Sequence, residues 1–226
     1  MARPSRRNNV GTIRSPGRVM GDADKRALWD RKYEEGLPSL TKPDPYFVRA
    51  YERFVDRSIP HADRALDLAA GLGRHALWLA ERKWRVSAVD VSEVALGKLR
   101  QSADELKVDI DLVAIDAADY TFGPAGFDLI VLFYHLDRRL FPKIVSAMRP
   151  GALLICKLSV EWGSESVPAR DNLKPLARNE LPALVPELQM IDHHERPVRN
   201  RGVVEFVGKK PQSDKIHRAA IPRHPA

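Results

Sequence analysis

A single cysteine, Cys156, leaves this 226-residue chain no intramolecular disulfide to form. Its place in the apolar run Ala152–Leu158 reads as a buried structural thiol rather than a nucleophile. No apolar stretch approaches the ~18–20 residues needed to cross a bilayer, and no secretory core is present, so the expected setting is cytoplasmic, without a membrane partner. No Cys/His set has zinc spacing. The adjacent His193 and His194 fall on opposite faces of a strand and cannot share an ion, so no metal is expected. Internal repeats are absent as well, and the length suits one domain.

Net positive charge is high overall but absent from the body. Of the net +7, residues 1–19 hold +5 and residues 209–226 hold +4, so the part between them keeps −2. That distribution speaks against a nucleic-acid surface on the folded part. Residues 1–21 and 210–226 read as disordered basic tails flanking a domain at 22–209. For the first tail three readings stay open: a nucleic-acid arm, an organellar transit peptide, or a solvated extension upstream of a natural start at Met20.

The chain is organised around Ala65–Ala80. Ala65-Leu66-Asp67-Leu68 is a brief buried-strand run. Gly71 and Gly73 permit a tight turn, and from Arg74 Ala76, Leu77 and Ala80 recur at helical spacing. Gly71-Leu72-Gly73-Arg74-His75-Ala76 fits the dinucleotide pattern G-x-G-x-x-A. Three acids tilt the reading elsewhere. Asp67 precedes the turn, Asp90 ends the strand Arg85–Val89, and Asp116 follows the strand Ile110–Ile115, so all three face one crevice. They suit an ammonium, a ribose diol and an adenine amino group, the ligand pattern of S-adenosylmethionine (SAM).

The chain resembles the class I SAM-dependent methyltransferases, and within them the tellurite-resistance-type small-molecule branch. The resemblance is carried by Trp29-Asp30-x-x-Tyr33, Asp67–Leu96, Phe127–Leu158 and Asn172–Glu195. It implies an α/β, doubly wound, Rossmann-like and mostly parallel seven-stranded sheet with one antiparallel C-terminal strand. It also implies that a helix over Asp22–Glu35, capped by Asp22 or Asp24, lies across the cofactor pocket. Trp29 and Tyr33, one turn apart, either form an aromatic wall of that pocket or pack the helix on the sheet.

Further elements follow from periodicity and turn residues. Helices are expected at Tyr46–Arg57, Ser92–Lys107, Leu140–Met148 and Glu180–Leu188; Ser92 caps the second, whose buried stripe includes Leu106. Strands are expected at Phe127–Tyr134 and Ala152–Leu158, separated by a Pro150-Gly151 turn, and at Met190–Arg196 and Val203–Lys209 as a hairpin. Leu37–Pro45 is a loop that can move over the site, and Ser159–Asn179 is the candidate substrate loop.

In a SAM site the methionine end falls to Asp67, Ala69, Gly71 and Gly73, with Arg74 either on the carboxylate or solvated. Asp90 takes the ribose, Val91 lies against the adenine, Asp116 and Ala117 take the adenine edge, and Phe133 floors the pocket. The reaction expected is methyl transfer to a small, soft or anionic acceptor of thiol or chalcogen-oxyanion type. Protein or RNA methylation, or SAM binding without catalysis, are the alternatives. The family's Leu-His-Arg reads Leu136-Asp137-Arg138 here. His135, beside Tyr134, is a candidate catalytic histidine or a satisfied structural one, and Arg138 either draws in an anion or pairs with Asp137.

Overall fold

The computed structural model describes residues 21–36, 42–56, 63–123, 125–163, 174–198 and 201–212. The tails up to residue 20 and from 213, most of the loop expected at 37–45, and the centre of the candidate substrate loop lie outside these.

Seven strands form one sheet in the order β3-β2-β1-β4-β5-β7-β6. They are β1 (Arg64–Leu68), β2 (Arg85–Asp90), β3 (Ile110–Ala114), β4 (Phe127–Phe133), β5 (Met148–Val160), β6 (Gln189–Val198) and β7 (Arg201–Lys209). β7 runs antiparallel to both its neighbours, β5 and β6, so the other six strands are parallel, as expected. The order reverses between β1 and β4, which pair directly (Ala65 with Leu129), and an open α/β sheet binds ligands in the crevice at that switch point. β4 is buried at all seven positions, which is why its sequence is continuously apolar around Asp128 rather than alternating.

Helices cover both faces. On one side α2 (Pro45–Ala50), α3 (Arg74–Glu81) and α4 (Glu93–Leu106) pack through Phe47, Leu79 and Leu99; on the other, α5 (Leu140–Ala147) and α6 (Glu180–Leu184) pack through Phe141, Ile144 and Leu181. Ser92 caps α4, accepting from the Ala95 amide at 3.0 Å, and Lys107 ends it in a left-handed conformation. Leu106, expected in the stripe, is exposed because the chain turns away at that point.

Four further departures have physical causes. The second helix becomes a π-helical turn at Tyr51–Val55, which turns Tyr51 and Val55 inward and leaves Phe54 only half-buried. Pro150-Gly151 lies inside β5 rather than in a turn: the register jumps from Phe127↔Met148 to Leu129↔Leu153, so five residues of β5 span two of β4 in a bulge around Gly151 (φ 85°). α1 (Asp22–Glu34) starts after Gly21 with no side-chain cap, so neither Asp22 nor Asp24 plays that role. Lys210, counted above with the second tail, is held by the Val145 and Met148 carbonyls at 2.7 and 2.9 Å. None of the described helices is long and apolar enough to cross a membrane.

Candidate functional site

The crevice at the switch point holds a cavity of about 330 Å³. Its floor is the turn between β1 and α3. Ala69, Gly71 and Gly73 all sit at positive φ (54°, 56° and 72°), folding the backbone tightly against the sheet. At Gly73 only glycine fits, since a Cβ would lie 2.3 Å from Leu99. A Cβ on Gly71 would instead meet the Tyr33 hydroxyl at 2.6 Å, so the roof helix rests directly on the turn.

The three acids each anchor backbone. Asp67 is 1% exposed and accepts from the Ala76 amide of α3 at 3.1 Å. Burial pushes its carboxyl up to about 7, against the pull of that amide and of Arg74. Asp90 accepts from Gly71 N–H at 2.7 Å and Ser92 N–H at 2.9 Å, one on each oxygen, so it joins the glycine turn to the α4 cap. Its carboxyl is also raised by burial, which outweighs those two amides. Asp116 accepts from Ala118 N–H at 2.9 Å and from the Lys25 ammonium of α1. Burial would raise it, but Lys25 and that amide together hold it below the usual carboxylate range.

Lys25 is the feature that sequence reasoning missed. Among the described residues, Asp22, Asp116 and Asp119 bring carboxylate oxygens within 4.8 Å of one another. Lys25 also reaches Asp22 at 3.7 Å, so an ammonium already balances this group. The signal lay in α1, where Lys25 stands one turn before Trp29. The rest of α1 is tied down by polar bonds: Asp30 accepts from the Ser92 hydroxyl at 2.6 Å and the Val94 amide at 3.2 Å, and Lys98 donates to the Tyr33 carbonyl at 2.6 Å. No residue of α1 is fully buried. Trp29 and Tyr33 line the cavity with ring centroids 6.0 Å apart.

At the far wall β4 ends in Phe133, and Tyr134 follows it. Tyr134 holds positive φ (60°), a strained position for a bulky residue, and its hydroxyl donates to the buried Asp44. Asp44 caps α2 through the Tyr46 amide at 2.9 Å and takes Lys157 at 3.1 Å; Lys157 also pairs with Glu205 at 2.9 Å, and Glu205 with Arg196 at 2.9 Å. Opposite signs thus alternate along this buried chain. His75, unforeseen at the site, packs tilted against Phe133 with ring centroids 4.4 Å apart, and its Nε2 accepts from the Asp44 amide. Burial, with Arg74 beside it, pushes His75 down to about 3, so it is neutral.

Of the residues expected at the site, Trp29, Tyr33, Asp67, Ala69, Gly71, Arg74, Asp90, Val91, Asp116, Ala117, Phe133, Tyr134 and His135 line the cavity. Two do not. Gly73 acts through the backbone, making room for Leu99. Arg138 points away: Glu180 binds it at 2.5 and 2.8 Å, and the Lys174 and Pro175 carbonyls take two more of its N–H groups, while Asp137 pairs with Arg139 instead. Four of the five guanidinium N–H groups are thus committed away from the cavity.

With this geometry, comparison with known proteins is informative. Residues 65–151 match the family model described as a methyltransferase domain. This is the class I methyltransferase fold. A demethylmenaquinone methyltransferase from Clavibacter sepedonicus is 30% identical over 105 residues, and the chain spans 42% of that relative's length and matches over 43% of its own. TehB from Haemophilus influenzae superposes with a TM-score of 0.64 at 16% identity, covering 83% of this chain and 67% of that one. The N-methyltransferase NodS from Bradyrhizobium japonicum, solved with S-adenosyl-L-homocysteine (SAH), gives 0.62 at 17% identity, covering 83% and 98%. The methyltransferase-domain match begins at the first residue of the Ala65–Ala80 stretch and ends inside the β5 bulge, so it contains all three strand-end acids.

Proposed function

We propose that the chain is a SAM-dependent methyltransferase acting on a small, soft or anionic acceptor. The observation that carries this is the placing of Asp67, Asp90 and Asp116, from three successive strand ends, on one cavity under an aromatic roof. The donor set fits the cofactor. Asp67 lies under the turn for a cationic amino group, Asp90 keeps acceptor capacity for hydroxyls beyond its two amide bonds, and Asp116 stands with Ala117 for an adenine edge. The relative's printed name, a demethylmenaquinone methyltransferase, is likewise that of an enzyme with a small-molecule acceptor.

SAM supplies a methyl group already activated on a sulfonium, so the protein has to orient and desolvate rather than generate an electrophile. Trp29 and Tyr33 exclude water from above, and Phe133 and Tyr134 close the far wall. Apart from Asp67, which is assigned to the cofactor's amino group, the described cavity residues offer the acceptor no poised base. His75 is neutral and its Nε2 is engaged by the Asp44 amide, burial lowers His135, and the Tyr134 phenol is raised by burial and by donating to Asp44. An acceptor that needs no deprotonation, such as a thiolate or chalcogen oxyanion, matches such a wall, with Arg74 as the nearby cation.

Calorimetric titration with SAM and with NAD tests the reading. SAM is expected to bind and NAD is not; binding of NAD without SAM would overturn it. A panel of thiol, oxyanion, phenol and amine acceptors then tests the acceptor class, since turnover confined to phenols or amines contradicts a base-free wall.

A further inference from the structure

Among the described cavity residues, one buried polar side-chain atom has no partner. The carboxylates accept amides, Lys25 sits on Asp116, Tyr134 on Asp44, and His75 accepts from a backbone N–H. Nε2 of His135 is closed from water and makes no hydrogen bond, although its ring lines the cavity. An orphaned buried nitrogen is destabilising unless something pairs with it. A half-turn of the imidazole exchanges Nε2 with Cε1, which is a small motion for a ring already at the cavity wall.

The surroundings of the ring say which end of the cavity it serves. The charges that act on it are Asp116, Asp137, Asp90 and Lys25. Asp137 is taken by Arg139, and Asp90 and Asp116 are the acids assigned above to the sugar and the base. Burial keeps the ring neutral despite three carboxylates, so it carries one N–H donor, which can meet a hydroxyl or a ring nitrogen, and one lone pair, which can accept from a hydroxyl or an amino group.

We propose that His135 is a cofactor-recognising residue, pairing its free nitrogen with a polar atom of the nucleoside half of SAM or SAH, and not a base for the acceptor. The inference rests on the SAM reading of the cavity. SAH, which does not react, is the probe, titrated into the full chain and into His135→Phe, which keeps a ring and removes both nitrogens. His135→Phe is expected to bind SAH about 5- to 100-fold more weakly. Its ligand-free unfolding midpoint should be no lower than wild type, since an orphaned polar atom has gone; a purely structural histidine would lower it. The 2′-deoxy and N6-methyl analogues of SAH locate the partner, because the one lacking it loses affinity on wild type and no further on the variant. SAH affinity within about twofold of wild type overturns the proposal. Should His135→Phe fail to fold, His135→Leu is read by the same threshold. Failure of wild type to bind SAH at all would instead remove the SAM reading beneath it.

Discussion

Asp67 allows a pH experiment with a defined sign. Its carboxyl titrates near 3.8 when unfolded and is pushed up to about 7 in the fold by complete burial. Between those values the native state holds a proton that the unfolded chain has lost. Stability therefore falls as pH rises through that window and levels off above about 7. Raising the carboxyl from 3.8 to about 7 corresponds to about 4 kcal/mol at full ionisation, an upper figure that relaxation of the site will reduce. Asp67→Asn keeps an oxygen for the Ala76 amide and removes the charge. Its stability relative to wild type should thus rise by about 2–4 kcal/mol between pH 4.5 and pH 8. Any fixed cost of the new NH₂ group shifts both ends equally and drops out of that difference. Urea unfolding at the two pH values, without ligand, measures it. A pH-independent difference, or one that shrinks as pH rises, would refute the assignment of the raised carboxyl to Asp67. The same logic makes SAM binding release a proton near pH 6, as a cationic amino group favours the ionised form; calorimetry in buffers of different ionisation enthalpy detects it.

Gly73→Ala combines positive φ with a Cβ 2.3 Å from Leu99 and should cost about 2–4 kcal/mol in denaturant unfolding. Lys157→Met removes the ammonium shared by the buried carboxylates of Asp44 and Glu205, leaving Glu205 only Arg196, and should cost about 3–5 kcal/mol, part of it recovered by adding Glu205→Gln. Asp90→Ala should weaken SAM binding by about 1–3 kcal/mol, read by titration of a variant whose fold is first checked by circular dichroism.

The fold was legible because its signals are local. Buried parallel strands are continuous apolar runs, as in Leu129–Phe133, and Ser92 announces a helix start by its own chemistry. Thirteen of the fifteen residues expected at the site line the cavity, since strand ends in this topology converge whatever the loops do. What stayed hidden is relational. Nothing near Arg138 predicts that Glu180 and two carbonyls will consume it, or that Asp44 will collect Tyr134, Tyr46 and Lys157 from three parts of the chain. The Pro150-Gly151 pair reads as a turn in isolation, and only pairing with β4 and β7 turns it into a bulge. Lys25 looked like ordinary solvated helix charge until Asp116 came within reach.

The way α1 is attached bears on how the empty protein survives. A roof held by apolar packing would lay a sticky patch bare each time it lifted, and a ligand-free enzyme waiting for cofactor would be prone to self-association. Here the fastening is Lys25 on Asp116, Arg26 on Glu93, Asp30 on Ser92 and Lys98 on a carbonyl, with only half-buried apolar groups beneath. Two of these, Arg26 on Glu93 and Lys98 on its carbonyl, are open to solvent, where water replaces the partner at small cost. Lifting α1 would leave the hydrophobic core shut, and higher ionic strength would weaken the two ion pairs among its fastenings, Lys25 on Asp116 and Arg26 on Glu93.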